Sequence, residues 1–304
     1  MATASVMGHE GKWSFAASNA AASTTTFSGS TLSYAVVSDT VGLKDTLGYS
    51  RGLRGIRGQV VEGSRKTSTD ISGTIVFEVS PKWLDLMIPY ITSDTTTPFV
   101  FQETLTNGFD YIRYDGIAGK SRRYNNCQIN QATLSFNGEF VTMSLDVVAL
   151  TETEVTYAGA ALGTDITWEP YIPAELVFAA GSASATRNVE SLTLTMNNNL
   201  QARRRMKLAP QCYLPGIRTI TLATDAEWGS VAEAEMYGQI EDGYAASLTL
   251  TRESMNSVLT FNALQIPDRT PGITGPDEML YPIQGFIRGT GVTADVSWTN
   301  DSTN

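Results

Sequence analysis

One histidine, two cysteines, few charges and no long apolar run leave this 304-residue chain without the parts that most site chemistry needs. His9 stands alone near the start, so a serine nucleophile would have no downstream base, and with Cys127 and Cys212 far apart a zinc cluster lacks ligands. The thiols are expected to be buried and inert. No segment is apolar over the roughly 20 residues that a spanning helix requires, so no membrane anchor is expected. The start, MATASVMGHEGKW, lacks the basic flank and apolar core of a secretory signal, which implies synthesis and retention in a cytoplasm.

Charged residues make up 17% of the chain and the formal net charge is −10. An acidic body repels phosphate, which excludes tight nucleic-acid binding over the bulk surface while leaving room for contact with DNA that must not stick. Long amphipathic helices are also missing. What is abundant is glycine, at 26 residues, together with serine and threonine, a composition suited to sheets with many turns.

Two catalytic look-alikes dissolve on inspection. GYSRG, Gly48 to Gly52, matches the G-x-S-x-G elbow, but that elbow needs a strand, a following helix and a later histidine. GLRGIRG, Gly52 to Gly58, lacks the Lys-Ser/Thr ending of a phosphate loop. The carboxylate pairs Glu152/Glu154 and Glu233/Glu235 fall in a polar linker and on a short helix, where solvation is the default. No catalytic residue, metal site or cofactor is assigned, and the chain is not read as an enzyme.

The order of elements repeats. In the first half, a strand around Leu32 to Ser38 precedes a long Gly-rich basic loop from Gly42 to Thr69, and ISGTIVFEV, Ile71 to Val79, alternates as a half-buried strand. SPKWLDLMIPYI then carries a cap at Ser80, Pro81 at the first helical position and Trp83, Met87 and Ile91 on one face. Strands follow around Phe99 to Leu105, Tyr111 to Tyr114 and Gln128 to Phe136, and FVTMSLDVVAL closes the half. The second half offers ESLTLTM, a basic loop from Asn197 to Gly216, IRTITLA, a capping box at Thr224 and Glu227 opening a helix with Trp228, then SLTLT, SVLTFNAL, a Pro267 to Pro276 loop and GVTADVSWT. Asp146 and Asp295, in the two closing strands, stand 149 positions apart, close to half the chain. Thr151 to Asp165 is the natural linker, giving domains over 1–155 and 156–304.

On ISGTIVFEVSPKWLDLMI, FNGEFVTMSLDVVAL, LTLTMNNNLQARRRM and VTADVSWT, the chain resembles the tail tube proteins of long-tailed bacteriophages. The resemblance implies a mainly β fold of two tandem β-sandwich domains, each with a short flanking helix and a long loop reaching the next ring. It implies a virion structural protein, assembled in the host cytoplasm, whose chains form stacked rings, three chains to a ring of six domains. Its partners would be other copies of itself, the tape-measure and terminator proteins, and double-stranded DNA that passes through the lumen without specific binding.

The closing strands offer a wet channel face: Thr142, Ser144 and Asp146 in one copy, Thr293, Asp295 and Ser297 in the other. The loops offer inter-ring contacts through Arg51, Arg54 and Arg57 and through Arg203, Arg204, Arg205 and Lys207. Between Ser191 and Thr224 there is no acidic residue, so those charges are expected to find partners on another subunit. The alternative is a β-sandwich binding module, a carbohydrate- or receptor-binding tail or adhesin component. That would need aromatics gathered on one face, whereas Trp13, Trp83, Trp168, Trp228 and Trp298 are dispersed.

Overall fold

A computed structural model describes residues 12–17, 34–49, 64–114, 120–156, 169–180, 186–227, 243–267, 280–289 and 295–301. The fold is mainly β. The first half holds β1 (Lys12–Ala17), β2 (Ser38–Asp39), β3 (Gly42–Tyr49), β4 (Ser64–Glu78), the helix α1 (Pro81–Thr92), β5 (Phe99–Val100), β6 (Phe109–Tyr114), β7 (Ser121–Ser135), β8 (Thr142–Ala149) and β9 (Thr151–Val155). The second holds β10 (Leu176–Ala180), β11 (Thr186–Arg187), β12 (Val189–Asn197), β13 (Gln201–Arg203), β14 (Cys212–Leu214), β15 (Thr219–Glu227), β16 (Tyr244–Arg252), β17 (Met255–Gln265), β18 (Leu280–Arg288) and β19 (Val296–Asp301).

Strand partners recur between the halves, and among the described residues every pairing is antiparallel. β4 lies between β3 and β8, β7 pairs with β8, β6 and β9, and β6 pairs with β1. In the same way β15 lies between β12 and β18, β17 pairs with β18, β16 and β19, and β16 pairs with β10. The long strands β7 and β17 each serve two partners along one edge: β7 meets β9 through Ser121–Asn125 and β8 through Gln128–Ser135. β17 meets β19 through Asn256–Phe261 and β18 through Ala263–Gln265. β18 therefore occupies the place of β8, and β19 that of β9. Matching Asp146 to Asp295 aligned strands that are not equivalent: Asp146 lies inside β8, whereas Asp295 directly precedes β19, and the shared Asp-Val pair did not separate them.

A seam joins the halves. β12 pairs on one side with β15 and on the other with β7, Thr193 opposite Ser135 through Asn197 opposite Gln131. Amide side chains reinforce it: Asn197 Nδ2 donates to Gln131 Oε1 at 3.2 Å, Asn198 Nδ2 to the Ile129 carbonyl at 3.0 Å, and Asn130 Oδ1 accepts from the Leu200 N–H at 2.8 Å. On the far side β5 pairs with β19, and Asn300 donates to Asp85 on α1 at 2.6 Å.

The expected helix forms as its sequence dictates. Ser80 is extended and its hydroxyl accepts from the Trp83 N–H at 3.3 Å, Pro81 opens the first turn, and Trp83, Met87 and Ile91 are buried. Trp83 stacks on Phe77 with ring centroids 4.0 Å apart. A stacked series continues through Phe15, Tyr111 and Tyr124.

Three expectations are corrected, and one strand was missed. The stretch from Gly42 to Thr69 is not one loop: β3 and β4 form a hairpin from Gly42 opposite Ser72 to Tyr49 opposite Ser64, most of it exposed on both faces and so without apolar alternation to read. Thr224 does not cap a helix; it lies in β15 and its hydroxyl donates to the Ser191 carbonyl at 2.5 Å. The second expected helix falls outside the described residues. The linker starts later than Thr151, because β9 pairs with β7 there. β18 went unread because Pro282 and Gly285 interrupt LYPIQGFIR, yet the glycine is where Leu264 packs against the backbone, leaving no space for a Cβ.

Candidate functional site

The strands β4, β8, β7, β12, β15 and β18 lie side by side in that order. Their shared registers place rows of residues across all six. One row reads Ile75, Leu145, Ala132, Met196, Ile220, Ile287, each buried; it is the core side. The next reads Val76, Ser144, Thr133, Thr195, Thr221, Phe286, and none of these is buried. Flanking rows on the same face are Glu78, Thr142, Ser135, Thr193, Ala223 and Gln284, and Thr74, Asp146, Gln131, Asn197 and Thr219. The result is a broad wall of hydroxyls and amides crossing from one half to the other without a break in the ladder.

Some of the wall's polar groups bond to each other. Thr74 Oγ1 donates to Asp146 Oδ1 at 2.9 Å, Gln131 Nε2 to Thr133 Oγ1 at 3.2 Å, and Ser191 Oγ to Asp225 Oδ2 at 3.1 Å. Its carboxylates are Glu78, Asp146 and Asp225, and one cation, Arg288, lies over the Phe286 ring at the β18 edge.

Of the expected channel residues, Thr142, Ser144 and Asp146 are on this wall. Ser297 lies in β19 and Asp295 directly before it; β19 pairs with β17 and β5 and is not among the six strands, and Thr293 lies outside the described residues. Arg218 donates to Asp295 through Nε at 3.0 Å and reaches the Gln102 carbonyl at 3.3 Å, so the Asp295 charge is compensated inside the chain. Sequence reasoning passed over Thr133, Ser135, Thr193, Thr195 and Thr221, although the alternating threonines of ESLTLTM and IRTITLA carried the signal.

Of the expected inter-ring residues, Arg51, Arg54 and Arg57 lie outside the described residues. Arg203, Arg205 and Lys207 are exposed at the β13–β14 hairpin. Arg204 finds its partner in its own chain: it ion-pairs with Asp70 of β4 and donates to the Thr69 and Leu208 carbonyls. The Thr69 N–H returns a bond to the Leu208 carbonyl at 3.0 Å, and the Tyr213 hydroxyl donates to the Ala149 carbonyl at 3.3 Å. Burial and the Asp70 charge push the Tyr213 phenol up to about 12. The second-half hairpin is thus docked on the first half, its acidic partner more than a hundred residues away in sequence.

The remaining chemistry is structural among the described residues. Glu152 pairs with Arg122 at 2.6 Å, and Lys120 beside Glu154 holds that carboxyl below its ordinary range. Burial pushes the Cys127 thiol well up, and Cys212 is half-buried. No group of three or more His, Cys, Asp or Glu side chains is placed to hold a metal among the described residues. Trp83 and Trp298 are buried, so neither serves an exposed aromatic platform. Among the described residues no helix is long and apolar enough to cross a membrane.

Against this geometry, the family model described as phage tail tube protein matches residues 14–299. The chain belongs to the phage tail tube family. No curated protein matches it. Membership makes it a structural component of the virion's tail tube, and both halves with the seam between them fall within the matched span.

Proposed function

We propose that three copies of this tail tube protein close a ring of six β units, 1–155 and 156–304 from each chain, around a channel lined by the six-strand wall, and that stacked rings conduct DNA during ejection. The observation that carries this reading is the β7–β12 seam. A wall continuous across two units of like strand pairing has already solved, inside one chain, the problem of joining one unit to the next. Repeating that junction between chains closes a cyclic assembly by the same backbone pairing.

Thr142, Ser144 and Asp146, with Thr133, Thr195 and Thr221, face the channel, where hydroxyls and sparse carboxylates keep the wall wet and unattractive to phosphate. Arg203, Arg205 and Lys207 supply contacts between rings, with Arg51, Arg54 and Arg57 assigned the same role. The tape-measure and terminator proteins meet the tube's interior and ends, and assembly takes place in the host cytoplasm. Mass measurement on isolated rings is expected to give three chains per ring. Six chains per ring would refute the seam as the template for closure.

A further inference from the structure

The wall strands have chemically different ends. β12 starts beside a cavity of about 300 Å³ lined by Phe136, Pro173, Leu176, Val189, Glu190 and Arg187, whose buried guanidinium donates to the Ala180 carbonyl, and it ends where the chain turns into the β13–β14 hairpin. The eight steps along the nine residues of β12, at about 3.3 Å each, set the two features roughly 26 Å apart. At the cavity end Glu78, Glu139 and Glu190 are exposed, and Glu169 takes the guanidinium of Arg252. The hairpin itself exposes Arg203, Arg205 and Lys207, all positive, and the nearby Asp45 is taken by Lys66 at 2.7 Å.

The hairpin also presents an apolar side chain that none of the described residues covers. Met206 is 107% exposed, at the tip of a turn with φ of 44° at Arg205 and 64° at Met206. The Lys207 N–H closes the turn on the Arg204 carbonyl at 2.9 Å, and the Gln211 N–H bonds the Arg203 carbonyl at 2.8 Å. Two non-glycine residues in the left-handed region are costly, and here the Arg204 bonds to β4 hold the turn in place. An unbranched thioether side chain suits an irregular cavity.

Resting on the stacked-ring reading, we infer that the Arg205–Met206–Lys207 turn of one copy plugs the β12-start cavity of a copy in the next ring, Met206 entering it and the flanking cations facing Glu190 and its neighbours. Charge complementarity fixes the occupant as a second copy of this chain, and donor and acceptor at opposite ends of one strand make the contact head-to-tail, so it propagates. Arg204 is a positioning residue: it orients the turn through Asp70 and does not itself cross the junction.

The test is a Leu208→Cys, Thr186→Cys variant in a Cys212→Ser background, which keeps Met206, Lys207 and Glu190 and places one thiol beside the turn and one on the cavity lining, assembled and mildly oxidised. Both introduced thiols sit at exposed positions, and their separation within one chain prevents an internal disulfide. A ladder of covalently linked chains on non-reducing gels is the expected result. Tubes that give no link, with both cysteines still open to alkylation, overturn the inference, and so does a product that stops at two chains. A second variant, Met206→Ser, should shorten tubes at least tenfold while leaving ring mass unchanged; full-length tubes would count against the plug alone. If the wild-type chain forms neither rings nor tubes, the stacked-ring reading itself fails.

Discussion

Proline at Thr195 should unfold the protein or lower its urea midpoint by about 1 M or more. Thr195 lies in β12 between two paired strands, opposite Thr133 on one side and Thr221 on the other. A central strand has no edge on which a missing N–H can be tolerated, and the ring also crowds the neighbouring backbone. The orphaned acceptor alone costs about 1–3 kcal/mol, and steric displacement adds to it. Against a total stability of roughly 5–15 kcal/mol this is a large fraction, and a urea dependence of about 1–3 kcal/mol per molar converts it to the stated shift. Thr195→Val is the control: it keeps β-branching and the backbone donor while losing only the hydroxyl. That variant should stay within about 0.5 kcal/mol of wild type, as exposed substitutions usually do. A proline variant as stable as wild type would mean that β12 is not held on both edges, and the seam could not then serve as the junction template.

The parts legible in the sequence were those where one physical rule acts locally. Ser80, Pro81 and the four-residue spacing of Trp83, Met87 and Ile91 specify α1 within twelve residues, and the helix is there. β8 and β12 show clean alternation because one face meets the core and the other does not. The illegible parts depend on distant partners. β18 carries a proline and a glycine that argue against a strand, and only the packing of Leu264 against Gly285 explains the glycine. The β3–β4 hairpin has no buried face along most of its length, so no period marks it. Arg204 looked unpartnered because its own loop is free of acid, while Asp70 reaches it from the other half.

The wall itself was half read. Alternation correctly turned Ser144 and Asp146 away from Val147 and Leu145, which are buried. What alternation cannot say is which strands lie beside β8, since pairing between β7 and β12 joins residues about sixty positions apart. The resemblance between the closing strands then drew attention to Asp295, whose carboxylate serves Arg218. The membership of the wall comes from register, and its chemistry comes from the face each register exposes.

That distinction can be measured. Asp146→Lys combined with Thr221→Lys places two lysines on the wall, on strands separated by β7 and β12, and raises the charge of each chain by three. Both positions point away from the core, so rings and tubes should still assemble. A lysine within about 4 Å of a phosphate gains about 1 kcal/mol even in water, and tenfold in rate corresponds to about 1.4 kcal/mol, so a few simultaneous contacts suffice to hold DNA back. DNA release should therefore slow at least tenfold at low salt and recover as the screening length falls to about 8 Å near 0.15 M ionic strength. The matched control is Asp295→Asn, which leaves the wall untouched and should release DNA at the wild-type rate, while its weakened bond to Arg218 lowers thermal stability. Release kinetics from virions carrying each variant, with electron microscopy to count intact tails, separate passage from assembly. Wild-type release at low salt from intact tails of the double-lysine variant would remove the wall from the channel; a slowed Asp295→Asn variant would return β19 to it.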